Sequence, residues 1–164
     1  MIKCIRSGAQ TGADIAGLAT AKKFGIPTTG IMPKGWITTD GSKPQYQELY
    51  GITEHASSSY VPRTYENVRE ADGTIRLAFN FNSPGEICTL KAIKQYSKPY
   101  IDVDLNNPRP HQEVADWLVN NNIEILNVAG NAEKTYGGTN IATSEYLSEV
   151  FKLLGFKEIL SSQH

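Results

Sequence analysis

Apolar residues fall in short blocks separated by polar, glycine-bearing turns, and the blocks alternate between strand-like runs and helical spacing. Ile2 to Ile5 is a compact apolar run, and the stretch from Thr11 to Phe24 puts Ile15, Leu18 and Ala19 on one helical face. Thr11 and Asp14 have the spacing of a capping box, so the helix is expected to start there; Gly25 is placed to cap its end, and Pro27 prevents continuation. Thr28 to Met32 reads as a second strand ending at Pro33, with Lys34 and Gly35 at its carboxyl edge.

The pattern then repeats. A helix is expected over Arg63 to Asp72, capped by Thr64, with Tyr65, Val68 and Ala71 inward and Gly73 as its stop. Thr74 to Phe79 reads as a strand, Asn80 to Gly85 as a polar turn, and Glu86 to Lys98 as a helix burying Ile87, Leu90 and Ile93. Tyr100 to Leu105 is the next strand. Pro110 suits the first position of a helix striped by Val114, Trp117 and Leu118. A strand over Ile123 to Val128 leads through a loop, Ala129 to Gly138, into a last helix carrying Leu147, Val150, Phe151 and Leu154, with Gly155 as its cap. The tail, Phe156 to His164, is expected to add a short strand or pack loosely.

Strand and helix alternating about five times predict an α/β fold: a three-layer, Rossmann-like, doubly wound and mainly parallel sheet with helices on both faces. One domain over residues 1–164 is expected. Its exception is the irregular segment 36–62, too long for an ordinary connector and too rich in aromatics (Trp36, Tyr46, Tyr50, Tyr60) for a disordered linker. A subunit contact is the first use expected of it, ahead of a lid over the crevice or an excursion packed on its own domain.

Three turns, Ser7–Asp14, Asn80–Gly85 and Ala129–Gly138, lie at the carboxyl ends of expected strands, where open parallel sheets bind ligands. Ser7-Gly8-Ala9-Gln10-Thr11-Gly12-Ala13-Asp14 is the strongest candidate for an anion, because glycines admit close backbone approach and a helix N-terminus presents free N–H groups. Ser7, Gly8, Gln10, Thr11, Gly12 and Asp14 are therefore candidate ligand-binding residues. Lys34 and Arg63 would add charge, and Gly35, Asn80, Ser83, Gly85, Thr89, Gly130 and Asn131 would line the rest. Neither a strict dinucleotide fingerprint nor a Walker-type loop occurs.

Composition narrows the classes. Of 164 residues, 40% are hydrophobic and 20% charged, as in ordinary globular proteins, and the net charge of −1 gives no broad nucleic-acid surface. No apolar run approaches a membrane span. Cys4 and Cys88 form no C-x-x-C pair and read as two small buried thiols of a reducing, cytoplasmic setting. Asp102 and Asp104 share one strand face, but a solvated strand end explains them better than a metal, and the three histidines do not cluster. Arg63 and Arg69 suit phosphate, or ion pairs with Glu66, Glu70 or Asp72.

The order of these motifs resembles the molybdenum carrier-like family, within the wider SLOG/LOG Rossmann-like superfamily. Residues 7–14 are similar to its SGGQTGxD opening, Pro33-Lys34-Gly35 to its CPKG turn, residues 63–72 to its RTEWNVRDSD, and Leu126-Asn127-Val128-Ala129-Gly130 to its LNVAG. The resemblance spans about residues 3 to 155. It implies a crevice for a nucleotide-like or pterin-phosphate ligand, with molybdenum cofactor as one candidate, and a homo-oligomer, dimer or tetramer. LOG-type phosphoribohydrolases carry Pro-Gly-Gly-x-Gly-Thr-x-x-Glu. Here Pro84, Gly85 and Thr89 fit that pattern, Glu86 and Cys88 replace glycines, and Ala92 stands in place of the catalytic glutamate. A binding or carrier protein is thus expected first, a nucleotide phosphoribohydrolase or a nucleotide sensor second. A carboxylate at Glu86 is expected to compete with phosphate at that turn.

Overall fold

The computed structural model describes residues 1–159. Six strands, β1 (Cys4–Arg6), β2 (Thr28–Met32), β5 (Ile52–Glu54), β6 (Gly73–Ala78), β7 (Tyr100–Asp104) and β8 (Ile125–Gly130), form one sheet in the order β5-β2-β1-β8-β6-β7. Every pairing in it is parallel. A two-stranded antiparallel ribbon, β3 (Ile37–Thr38) and β4 (Gly41–Ser42), stands apart from it.

The helices are α1 (Ala13–Lys23), α2 (Tyr46–Tyr50), α3 (Tyr60–Arg69), α4 (Pro84–Tyr96), α5 (His111–Asn120) and α6 (Thr139–Leu153). α1, α5 and α6 pack together on one face of the sheet, and α3 packs on α4 on the other. Right-handed crossovers explain the split. Connections that step toward β5 or back to β8 place α1 and α5 on one face, and those that step toward β7 place α3 and α4 on the opposite one. The α/β doubly wound class expected from the alternation is the one observed.

β8 follows all other strands in sequence yet lies at the centre, between β1 and β6. Were β8 and α6 moved ahead of β1, the chain would wind outward to one edge and then to the other. The order is therefore that of a permuted doubly wound sheet. A buried set including Ile5, Ile75, Leu77, Leu126 and Val128 from the strands, with Leu147, Val150 and Phe151 from α6, forms the main core. α1 comes so close to β8 that a Cβ at Gly17 would meet Val128 Cγ1 at 2.7 Å.

Several local expectations are corrected. α1 begins at Ala13, with Gly12 at its N-cap and no side-chain cap bond, so the Thr11–Asp14 capping box does not form. Thr11 Oγ1 instead lies 2.8 Å from Thr39 Oγ1 and accepts from the Glu133 N–H. α3 starts at Tyr60 rather than Arg63, because Ser59, not Thr64, caps it by accepting from the Val61 N–H. It buries Arg63, Thr64, Asn67 and Val68. Gly73 opens β6 instead of merely ending a helix. α4 turns Glu86, Cys88, Thr89, Ala92 and Ile93 inward, whereas Ile87 is 45% exposed. A polar cavity, not the apolar core, faces the first turn of that helix, so Ile87 is turned out while Ile93 is buried as expected.

The segment 36–62 is structured. Trp36, Tyr46 and Tyr50 pack on the buried cluster of Ala9, Leu18, Met32 and Ile52, so their burial is met within their own chain. Its strand β5 forms the edge of the main sheet beside β2. At the other end of the chain, Phe156 packs on the core and the Ile159 N–H donates to the Lys23 carbonyl. The rest of the expected tail lies outside the described residues.

Candidate functional site

A cavity of about 310 Å³ opens at the carboxyl ends of β1, β6 and β8, bordered by α3 and the start of α4. That volume falls at the lower end of small-molecule sites. Of the candidate residues read from the sequence, Gly8, Gln10, Asp14, Arg63, Ser83, Gly85, Thr89 and Gly130 line it. Ser7, Thr11, Gly12, Asn80 and Asn131 lie outside the lining. Several of these hold its walls: Asn131 accepts from the Phe79 and Asn80 N–H groups at 2.9 and 3.1 Å and donates to the Asn80 carbonyl at 2.8 Å. Lys34 and Gly35 sit on the turn after β2, away from the lining; Lys34 is exposed, and the Gly35 N–H donates to Glu54 Oε2 at 2.6 Å.

The first turn has spent most of its own donors. The Ala9 N–H is taken by Ser7 Oγ, that of Gln10 by Asp14 Oδ2, that of Thr11 by Gln10 Oε1, and that of Ala13 by the Asn131 carbonyl. In the third turn Glu133 caps α6 by accepting from the Gly138 and Asn140 N–H groups at 2.7 and 2.8 Å. The second turn differs. Ser83 at the N-cap of α4 makes no side-chain cap bond, and Pro84 has no N–H. The amides of Gly85 and Glu86 therefore have no protein acceptor among the described residues, and a Cβ at Gly85 would meet nothing within 4 Å. They are two of the orphan donors that every helix start presents.

Across the cavity stands Arg63, 8% exposed, with Nη1 3.5 Å from Asp14 Oδ2. Its Nε has no partner. Burial pushes the Asp14 carboxyl up to about 6, against the pull of Arg63. Burial, with the negative charge of Asp14 second, pushes Glu86 up to about 7. Arg76 does not pair with the Glu86 carboxyl. Its Nε and Nη2 grip Asp102 at 2.8 and 2.7 Å, and its Nη1 donates to the Glu86 backbone carbonyl. Asp104 accepts from the Asn106 N–H of its own turn, and Arg69 pairs with Glu66 and Glu70 at the surface.

The lining also includes Glu86, whose carboxylate was expected at that turn, and residues that the sequence reading missed: Thr39, Tyr60, Thr64, Asn67, Asn127 and Thr135. Tyr60, Arg63, Thr64 and Asn67 form a polar stripe at helical spacing, legible only once α3 is started at Tyr60. Asn127, buried within an otherwise apolar central strand, was a second available signal. Thr39 arrives on the β3–β4 ribbon, pinned by its N–H to Gln10 Oε1 at 3.0 Å.

A parallel sheet with converging polar turns at one edge defines a Rossmann-like protein with its crevice at the carboxyl ends of the strands. The chain belongs to the circularly permutated YpsA SLOG family, whose model matches residues 5–151. It is also similar to a crystal structure, at 1.45 Å resolution, of a protein from Syntrophus aciditrophicus SB named "Putative molybdenum carrier protein". The TM-score is 0.83 and the identity 36%, over 92% of this chain and 94% of that one. A search of curated proteins returned no match. Among the described residues no helix is long and apolar enough to cross a membrane.

Proposed function

We propose that the protein binds a phosphate-bearing cofactor or nucleotide-like ligand in this crevice, as a carrier or sensor. One observation carries the reading: the uncapped N-terminus of α4, with open amides at Gly85 and Glu86, shares a cavity with the buried guanidinium of Arg63. Helix amides and an arginine fork are complementary to phosphate, and a water-poor site strengthens both. Molybdenum cofactor carries a phosphate and a pterin and so belongs to this ligand class. Gly85, Glu86 and Arg63 would hold its phosphate, and Gln10, Asn67 and Asn127 offer polar contacts to the remainder. The similarity to the molybdenum carrier structure supports this candidate.

The test is a thermal-shift titration with AMP, GMP, ADP-ribose, NAD, molybdopterin and molybdate. A ligand at a hundred times its dissociation constant adds about 2.7 kcal/mol of stability. Stabilisation of the wild type, lost in a folded Gly85→Glu variant, is the expected result. No shift with any phosphate-bearing compound would sink the reading.

A second reading, cleavage of an N-glycosidic bond in a nucleotide, is favoured by two buried carboxyls that hold their protons toward neutral pH, Asp14 and Glu86. Release of free base from AMP or GMP by the purified protein, abolished in Glu86→Gln, would replace the carrier reading with it.

A further inference from the structure

Five buried side-chain polar atoms lack a hydrogen-bond partner among the described residues, and three of them, Arg63 Nε, Glu86 Oε1 and Asn127 Oδ1, belong to residues lining the one cavity. Native interiors leave few such atoms, and a cluster of them marks groups reserved for something else. Two of the three are acceptors. Glu86 is 2% exposed and Asn127 3%. No salt bridge joins Glu86 to Arg76, whose hydrogen bonds go to the Asp102 carboxylate and to the Glu86 backbone carbonyl; Arg76 acts on the Glu86 carboxyl through its charge alone. Arg63 is drawn to Asp14.

A buried carboxylate that borders a ligand cavity, makes no salt bridge among the described residues and leaves Oε1 without a partner is complementary to two adjacent N–H donors on a flat group. We propose that Glu86, with Asn127 lining the same cavity, reads the donor edge of a 2-amino-4-oxopyrimidine ring, the adjacent ring N–H and NH₂ that guanine and pterins share. Adenine presents a ring acceptor next to its amino group and would oppose the carboxylate. Hypoxanthine keeps the ring N–H and lacks the amino group. Glu86 is thus a specificity-determining residue, and its place where the related hydrolase signature has glycine is the basis of that selection. This inference rests on the proposed binding of a phosphate-bearing ligand at the same cavity.

The charged groups around Glu86 are Asp14 on α1, Arg63 on α3, Arg76 on β6 and Asp102 on β7. Two ligand donors favour the ionised carboxylate, so affinity for the guanine edge rises as Glu86 loses its proton.

The experiment is calorimetric titration of the full chain with GMP, IMP, AMP and neopterin monophosphate at pH 6 and 8.5. At pH 8.5, GMP or neopterin monophosphate is expected to bind at least tenfold tighter than AMP, with IMP between. The tighter of the two assigns the ring as purine or pterin. That preference is expected to shrink at pH 6 and to vanish in Glu86→Gln. Equal binding of GMP, neopterin monophosphate and AMP, or a preference that survives in Glu86→Gln, would overturn this inference and leave the binding reading standing. The absence of binding by all four, together with no thermal shift from the other phosphate compounds, would overturn both. Should Glu86→Gln fail to fold, the pH dependence of the wild-type preference decides alone.

Discussion

The guanidinium of Arg63 occupies the space that a side chain at Gly8 would fill: a Cβ there would collide with Nη1 and would stand 3.1 Å from Asp14 Oδ2. The glycine of the first turn therefore serves as a berth for an arginine from the opposite face of the sheet. Its role is close approach, as expected for a glycine, but the group approaching is the protein's own.

Gly8→Ala is accordingly expected to fold and to displace Arg63. The atom it meets is the end of a flexible side chain, so the cost is about 1–2 kcal/mol, toward the low end for overpacking. Phosphate-ligand affinity should fall at least tenfold. Urea denaturation and calorimetric titration separate the two effects; unchanged affinity would remove Arg63 from the site.

Gly12→Ala should behave differently. Gly12 has φ of +83°, and its Cβ would collide with the Asn131 carbonyl and lie 2.7 Å from the Glu133 nitrogen. Backbone on both sides cannot yield as a side chain can. A left-handed non-glycine residue and the overpacking together cost about 2–5 kcal/mol. A melting temperature within a few degrees of wild type would contradict this.

Asn131→Ala removes three hydrogen bonds that hold the turn after β6 to the turn after β8. Two backbone N–H groups then lose their acceptor, a cost of about 2–4 kcal/mol. Faster amide exchange at Phe79 and Asn80 is the expected signature, measured by hydrogen–deuterium exchange.

The pH dependence follows from the two raised carboxyls. The native state holds protons that the unfolded chain releases, over about pH 4 to 6 for Asp14 and about 4.5 to 7 for Glu86. Their contribution to stability is complete below that window and is lost as pH rises through it. Glu86→Gln cannot ionise and should therefore be more stable than wild type at pH 8, by on the order of 3 kcal/mol, and little changed at pH 4.5. Urea midpoints at the two pH values check the sign; a variant less stable than wild type at pH 8 would show that the ionised carboxylate is paired.

Much of this was legible in the sequence, and the boundary has a physical cause. The alternation of apolar runs and helical stripes carried the sheet, the strand Thr28–Met32 matched its observed bounds, and the three polar turns lie at the carboxyl edge. Periodicity reports which side of an element is greasy, and that fails where an element borders a polar cavity. α4 therefore hides Glu86 and exposes Ile87, against its apolar pattern. The free amides were also out of reach. Ser7–Asp14 looked like the open anion turn, but side chains from Ser7, Gln10 and Asp14 take its N–H groups, and the Asn131 carbonyl takes another from far along the chain. Local spacing says which groups a turn offers, not which of them tertiary partners have already claimed.

The central position of β8 bears on how the chain is made. A ribosome releases β1, β2 and β5 and then β6 and β7 before the strand that joins the two sets. Until β8 emerges, β1 and β6 each present a bare inner edge, the kind of surface that chaperones shield and that pairs wrongly with other chains. The same late strand brings Asn127 and Gly130, so the crevice is completed only after β8 has emerged. Nascent chains stalled before residue 125 should therefore be unable to capture ligand.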